Sequence, residues 1–547
     1  MDRSPTLTLR ELVRRLHRAH SRSSITARSE PSEPLFFAHM ASRPPLVFAA
    51  LLVSALTACS GGSVERPPHV ILITLDTVRA DFLSCYGATT GDTPALDQIA
   101  EEGAVFERAV AASGLTPTSH ATILTGKFQY GHGLRVLAAP SGYRLSDDQR
   151  GLATVFKDAG YVTGAIHSAF PVSGYFGFDN DFDEFQSFDA SMTLEEDGNL
   201  ARWDIERYQR RSDETTARAL QWFTQEAAKN EAPVFLWLHY WDPHDPVVLP
   251  PADKLEALLY DSGSGRLLSE FSRMYAAELR YQDENLGGLF RGLSEAGLLN
   301  ETVLAITADH GQGLDDGRDL HGWGKHRVLY REVLHVPLIL RGPGVMPGVR
   351  VSDQVRTADI APTLIELAGL EGDLLDTDVE GVSLVERLDG QRRGHLTAYG
   401  EQINGYDDNA GMRRNRVEAT FLHMVSDGDW KVIYRPHMPE RSELFHIASD
   451  PAESRNVREE FPAEYLRLMA DLAERNPWVL EPFPEVSRQA TGAPDLSSLG
   501  YSGAEQGEGN WHWTCPEHGH FVAGERGRHE EACGRILVPA GDWREPR

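Results

Sequence analysis

Leu115-Thr-Pro-Thr-Ser-His-Ala-Thr-Ile-Leu-Thr-Gly126 places a hydroxyl residue, Thr116, just ahead of a short apolar run. The stretch reads as the start of a helix. A helix N-terminus exposes backbone N–H groups and the positive end of a dipole, so it suits an oxyanion. Taken alone, Thr116 reads equally well as a plain N-cap. The residues around it decide between the two.

The surrounding chain has 547 residues, enough for a large core and more than one domain. Its hydrophobic content of 41% is ordinary for a globular protein. There are 53 basic against 81 acidic residues, a formal net charge of −28, which argues against a nucleic-acid partner. The charge by itself reads as a soluble, self-repelling surface. Acidic groups also attract divalent cations, but only a specific cluster would show it.

From His69 onward, apolar runs alternate with amphipathic stretches. His69-Val-Ile-Leu-Ile-Thr-Leu75 is continuously apolar, the pattern of a strand buried on both faces. Runs at 234–239, 302–307 and 336–340 are further strand candidates. Helical patterns lie near 149–158, 213–229, 268–296 and 359–369, and Thr93-Pro94 reads as a helix cap and first position. The alternation predicts an α/β fold with a mainly parallel sheet flanked by helices. Ligands sit at the carboxyl ends of such strands. Asp76 directly follows the first strand, and Asp309 and His310 follow a later one. Two carboxylates and an imidazole converging at strand ends suit a divalent ion.

With those residues in place, the opening stretch resembles the signature of the sulfatase family, in the alkaline phosphatase superfamily. That signature runs roughly Cys/Ser-x-Pro-Ser-Arg-Ala-x-x-Leu-Thr-Gly. Counting back from Leu124-Thr125-Gly126, Ser119 falls on the Ser, His120 on the Arg and Thr116 on the Cys/Ser that sulfatases oxidise to formylglycine. The resemblance covers about residues 68–460 and implies an alkaline phosphatase-like core over 69–400 with a small antiparallel subdomain over 401–477.

The departures from the family pattern are specific. Threonine is no substrate for formylglycine formation. Arylsulfatases usually carry Asp-Asp and Asp-Asn around Ca²⁺; here Thr77 replaces the second Asp and His310 the Asn. The Asp-His pair resembles the phosphodiesterase, phosphonate hydrolase and alkaline phosphatase branches, which use Zn²⁺ or Mn²⁺ and often a Thr or Ser nucleophile. Imidazole favours Zn²⁺ or Mn²⁺ over Ca²⁺. Where arylsulfatases have Gly-Lys-Trp-His, this chain has Ile166-His-Ser-Ala-Phe-Pro171, so the usual sulfate clamp is out of register. With His120 in place of the Arg, both losses count against sulfate as substrate.

The resemblance assigns further residues. In His239-Tyr-Trp-Asp-Pro-His-Asp-Pro246, His244 matches a family histidine that contacts the bound anion, while His239 and Asp242 are alternative ligands of a second metal. In His321-Gly-Trp-Gly-Lys-His326, Lys325 would stabilise the leaving oxygen or the anion, a role or metal contact also open to His321 and His326. Asp76, Thr116, Asp309 and His310 would hold the metal, with Thr116 as nucleophile and His120, beside it in the motif, as a further catalytic residue.

Both ends carry separate signals. Residues 46–58 form a 13-residue apolar run ending in Leu56-Thr57-Ala58-Cys59, which resembles a bacterial lipobox with Cys59 as the lipidated residue. Residues 40–59 then read as a lipoprotein signal peptide, 1–39 as an extension ahead of a start at Met40, and 60–68 as a tether. This predicts attachment to a membrane of the bacterial cell envelope through lipid. After a linker at 478–510, residues 511–547 hold Cys515, His518, His529 and Cys533, a Cys2His2 set that resembles small heavy-metal-binding modules and would take a second Zn²⁺.

The sequence therefore predicts a metal-dependent hydrolase of phosphate, phosphonate or sulfate esters on a small molecule or glycan. The alternatives are a sulfatase working through Thr116, Thr118 or Ser119 without formylglycine, an inactive anion- or glycan-binding protein, and a transferase of phosphoryl headgroups.

Overall fold

The computed structural model describes residues 66–479, apart from 90–91, 137–143, 188–208, 230–231, 245–249, 253, 256–257, 259–269, 315–325, 371–374, 405–420, 437 and 477–478, and beyond them only strand backbones at 512–515, 519–522 and 538–539. The lipobox and signal segment, the linker, and His321, Lys325, His518, His529 and Cys533 lie outside these residues. No helix among the described residues is long and apolar enough to cross a membrane.

Nine strands form the main sheet: β1 (His69–Leu75), β2 (Ala104–Val110), β3 (Val162–His167), β4 (Glu184–Gln186), β5 (Val234–Tyr240), β6 (Thr302–Ala308), β7 (His335–Val336), β8 (Leu338–Arg341) and β9 (Val349–Arg356). Their order is β4-β3-β5-β1-β6-β8-β2-β7, with β9 paired to β2. The pairs β1/β5, β1/β6, β3/β5, β3/β4 and β2/β9 are parallel, so the mainly parallel sheet is as the sequence predicts. β5 and β6 are buried at every position and β1 at all but its first, because helices cover both faces.

Register fixes where the chemistry lies. Leu75 is level with Tyr240 on one side and Ala308 on the other, so Asp76 and Asp309 leave adjacent strands at the same edge. His167 is level with His239. β8 is antiparallel to both β6 and β2, so β2 runs with β6 and delivers Ala111–Gly114 and the Thr116–Thr125 helix to that edge too.

A second, four-stranded antiparallel sheet comprises β10 (Ala398–Ile403), β11 (Phe421–Ser426), β12 (Trp430–Tyr434) and β13 (Glu443–His446), with the Pro462–Arg475 helix packed on it. In the tail, β14 (His512–Cys515), β15 (Gly519–Val522) and β16 (Val538–Pro539) form a small sheet of order β15-β14-β16. Cys515 closes β14, and only its backbone is described.

The Pro94–Glu101 helix shows how a local signal is completed from a distance. Thr93 is its N-cap residue but makes no side-chain cap. Instead Asp283, on the long Glu270–Glu295 helix, accepts the amides of Ala95 and Leu96, both at 2.9 Å. Burial nevertheless pushes the Asp283 carboxyl up to about 7. Between about pH 4 and pH 7 the folded chain keeps a proton that the unfolded chain has released, so this group lowers stability as pH rises through that window. The unfolding midpoint of the wild type, relative to that of Asp283→Asn, should fall from pH 4 to pH 7 and then level off. A pH-independent difference would contradict the assignment.

Candidate active site

The Thr116–Thr125 helix begins with Leu115 as N-cap, in extended backbone, and with Pro117 in its first turn. Thr116 is thus the first helical residue, and the plain N-cap reading does not hold. Its side chain is fully buried, and Oγ1 lies 3.3 Å from His310 Nε2. His310 Nδ1 donates to Gly311 O at 3.0 Å, so Nε2 is the ring nitrogen turned toward Thr116.

Asp309 is oriented by two backbone amides. Its Oδ1 accepts Thr77 N at 3.1 Å and His310 N at 2.7 Å. Oδ2 is buried with no hydrogen-bond partner among the described residues, 3.4 Å from His310 Nε2 and 3.7 Å from His120 Nδ1. Asp76, Asp309 and His310 each bring one ligand atom within 4.8 Å of the others, and all three are buried. An orphaned carboxylate oxygen, a second carboxylate and an imidazole, all removed from water, are a donor set that could hold a divalent metal ion. His239 Nε2 donates to Asp76 Oδ2 at 3.3 Å and braces that carboxylate from behind.

Histidines flank Thr116 on the other side. The His326 ring stacks on His310 at 4.7 Å, and its Nδ1 donates to Gly114 O at 2.7 Å. His244 lies 5.2 Å from His326 and stacks on Trp241 at 3.8 Å. Burial holds His326 and His239 well below the usual histidine range, so both rings are neutral at pH 7.

Two sequence assignments change role. His120 has both ring nitrogens engaged within the protein: Nδ1 donates to Thr116 O at 2.8 Å and Nε2 accepts from Thr74 Oγ1 at 3.0 Å, which in turn accepts Trp237 Nε1 at 3.1 Å. Both ring nitrogens are spent on holding the helix start to β1, and burial lowers the His120 pKa. Asp242 stands apart from the metal group; its Oδ1 accepts Ser212 N at 2.9 Å at the start of the Ser212–Lys229 helix. Of the alternative nucleophiles, Ser119 donates to Asp309 O at 2.5 Å, and Thr118 Oγ1 is buried without a hydrogen-bond partner among the described residues.

Two further contributors carry no local sequence signal. Gln402, on β10, accepts Gly114 N at 3.1 Å, and its amide reaches Asn404, which donates to Arg327 O. Gly114 has to be glycine: a Cβ there would lie 2.8 Å from Val333 Cγ1 and 2.9 Å from Arg327 N. Tyr275 donates to Thr77 O at 2.8 Å.

A sulfatase family profile matches residues 68–370, and that of the N-sulphoglucosamine sulphohydrolase C-terminal region matches 319–476. The chain belongs to the sulfatase family. Among its relatives, the N-acetylglucosamine-6-O-sulfatase of Bacteroides thetaiotaomicron is 24% identical over 530 residues, spanning 80% of this chain and 90% of that protein. The arylsulfatase of Clostridium perfringens is 26% identical over 414 residues, spanning 62% of this chain and 83% of that one. The structure of BT4656 in complex with its substrate D-glucosamine-2-N,6-O-disulfate has a TM-score of 0.58 at 22% identity, covering 77% of this chain and 99% of its own. The phosphonate monoester hydrolase of Agrobacterium radiobacter shares the fold, with a TM-score of 0.55 at 21% identity, covering 83% of this chain and 99% of its own. In this sulfatase-family ester hydrolase, Asp76, Thr116, Asp309 and His310 come together at one sheet edge.

Proposed function

We propose that this sulfatase-family chain hydrolyses sulfate, phosphonate or phosphate esters with Thr116 as the nucleophile. The observation that carries the reading is Thr116 Oγ1, fully buried and 3.3 Å from His310 Nε2, beside the carboxylates of Asp76 and Asp309. Asp76, Asp309 and His310 would hold a divalent ion, with the imidazole favouring Zn²⁺ or Mn²⁺. When bound, such an ion lowers the pKa of a neighbouring hydroxyl and polarises the ester oxygen.

The chain's own residues do the rest. Thr116 Oγ forms a bond to sulfur or phosphorus as the bond to the leaving ester oxygen breaks, and that oxygen departs as the alcohol with the proton the hydroxyl loses; water later displaces Thr116, restores its hydroxyl and releases the sulfate, phosphonate or phosphate anion. His120 fixes the first helical turn by its bond to Thr116 O. His239 holds Asp76, and the stacked His310 and His326, with His244 tilted beside them, wall one side of the nucleophile. The small-molecule or glycan part of the substrate would be met by loops at the same sheet edge.

The test is a panel of aryl sulfate, phosphonate monoester, phosphate monoester and phosphate diester, assayed after chelation and after adding back Zn²⁺, Mn²⁺ or Ca²⁺. We expect turnover of at least one ester, lost on chelation and restored better by Zn²⁺ or Mn²⁺ than by Ca²⁺. Hydrolysis that persists in chelator removes the metal from the mechanism. Bound metal without turnover of any ester points to an anion-binding protein instead.

A further inference from the structure

Thr77 is strained. Its φ of 57° lies in the left-handed region, which a β-branched residue rarely adopts. The strained conformation has a product: it aims the Thr77 amide at Asp309 Oδ1, 3.1 Å away. The neighbouring turn is held by one side chain from a distant helix. The Tyr275 hydroxyl donates to Thr77 O at 2.8 Å and accepts Arg79 N at 2.9 Å, so a single oxygen ties both ends of the Thr77–Arg79 turn. The ring is buried and meets Phe82 edge-on at 4.9 Å.

We propose that Tyr275 is a positioning residue of the metal group: its hydroxyl keeps Thr77 left-handed, the Thr77 amide thereby occupies Asp309 Oδ1, and Oδ2 is left as the oxygen that faces the metal. The proposal rests on Asp76, Asp309 and His310 holding a metal, as argued above. Without the hydroxyl, Thr77 relaxes toward an ordinary β-region φ, its amide leaves Asp309, and the carboxylate loses its fixed rotation. Groups that orient a ligating carboxylate in this way typically affect metal affinity by about 10- to 100-fold.

Glycine separates this role from simple hydrogen-bond satisfaction, because it adopts positive φ without steric cost. Zn²⁺ and Mn²⁺ affinity would be measured by calorimetric titration of the chelator-stripped full chain, with apo thermal unfolding alongside. The proteins are wild type, Tyr275→Phe, Thr77→Gly, the Tyr275→Phe/Thr77→Gly double variant and Asp309→Asn. Tyr275→Phe should bind metal about tenfold more weakly, and the double variant should recover most of that loss. If the hydroxyl only satisfies two buried backbone groups, both Phe variants unfold at lower temperature while metal affinity stays at the wild-type value, and the proposal fails. Failure of Thr77→Gly to rescue overturns it as well. Wild type that binds no metal removes the site reading and this proposal together; wild type that binds while Tyr275→Phe binds equally well removes this proposal alone.

Discussion

Replacing Thr116 by alanine should lower kcat by about 10⁴-fold or more on the best substrate, the scale seen when a covalent nucleophile is removed. The fold should survive, because Thr116 caps nothing and the helix start is held through Thr116 O, which alanine keeps. Metal affinity should change by no more than about tenfold, since Asp76, Asp309 and His310 are untouched. Thr116→Ser retains the hydroxyl and should keep most of the activity. Mass spectrometry of the peptide spanning residue 116, after acid quench during turnover, should find a sulfo- or phospho-adduct in the wild type and none in Thr116→Ala. Substantial activity in Thr116→Ala would defeat the mechanism and bring Thr118, with its buried hydroxyl, forward.

Asp309→Asn has the second-largest effect, in two directions at once. The Asn carbonyl can still accept the Thr77 and His310 amides that now meet Oδ1, so the local backbone is preserved. Its NH₂ group would stand where Oδ2 is, and a donor cannot ligate a cation. Metal affinity should fall by at least about 10²-fold, and turnover with it. The apo variant, however, buries one carboxylate fewer and should unfold at the same or a higher temperature than apo wild type. Adding metal at a hundred times the wild-type Kd should stabilise wild type by about 2.7 kcal/mol and the variant by almost nothing. A variant that loses stability in the apo state as well would mean that Asp309 is chiefly a structural hydrogen-bond acceptor.

How far the sequence reached follows from which residues carried the signal. β1, β5 and β6 announce themselves because burial on both faces demands continuous apolar runs, and the residues just past them are the site. β2 and β9 are hidden in the sequence: Glu107 and Arg108 interrupt the first, and Arg350, Asp353 and Arg356 break up the second, where Arg350 and Ser352 meet water. β3 was read only as a departure from the clamp motif. Within the site, Asp76, Thr116, Asp309 and His310 were legible as strand-end and helix-start positions. His120 is legible only from its place in a motif, and its bonds to Thr116 O and Thr74, with Trp237 behind, are what the motif does not show. Tyr275 and Gln402 were out of reach, 198 residues from Thr77 and 288 from Gly114, because no local pattern encodes a pairing at that distance.

The reach of Gln402 from β10 to Gly114 has a consequence for how such genes can be recombined. The second sheet is not cargo that can be traded freely between relatives. A crossover between the two sheets separates the glutamine from the glycine whose amide it accepts, and Asn404 from the Arg327 carbonyl to which it donates. Parents that differ at any of these partners would give progeny in which the loop ahead of Thr116 loses its anchor while every motif residue is still present. The heritable unit of this active site is therefore longer than its signature, and runs at least from Asp76 to Asn404.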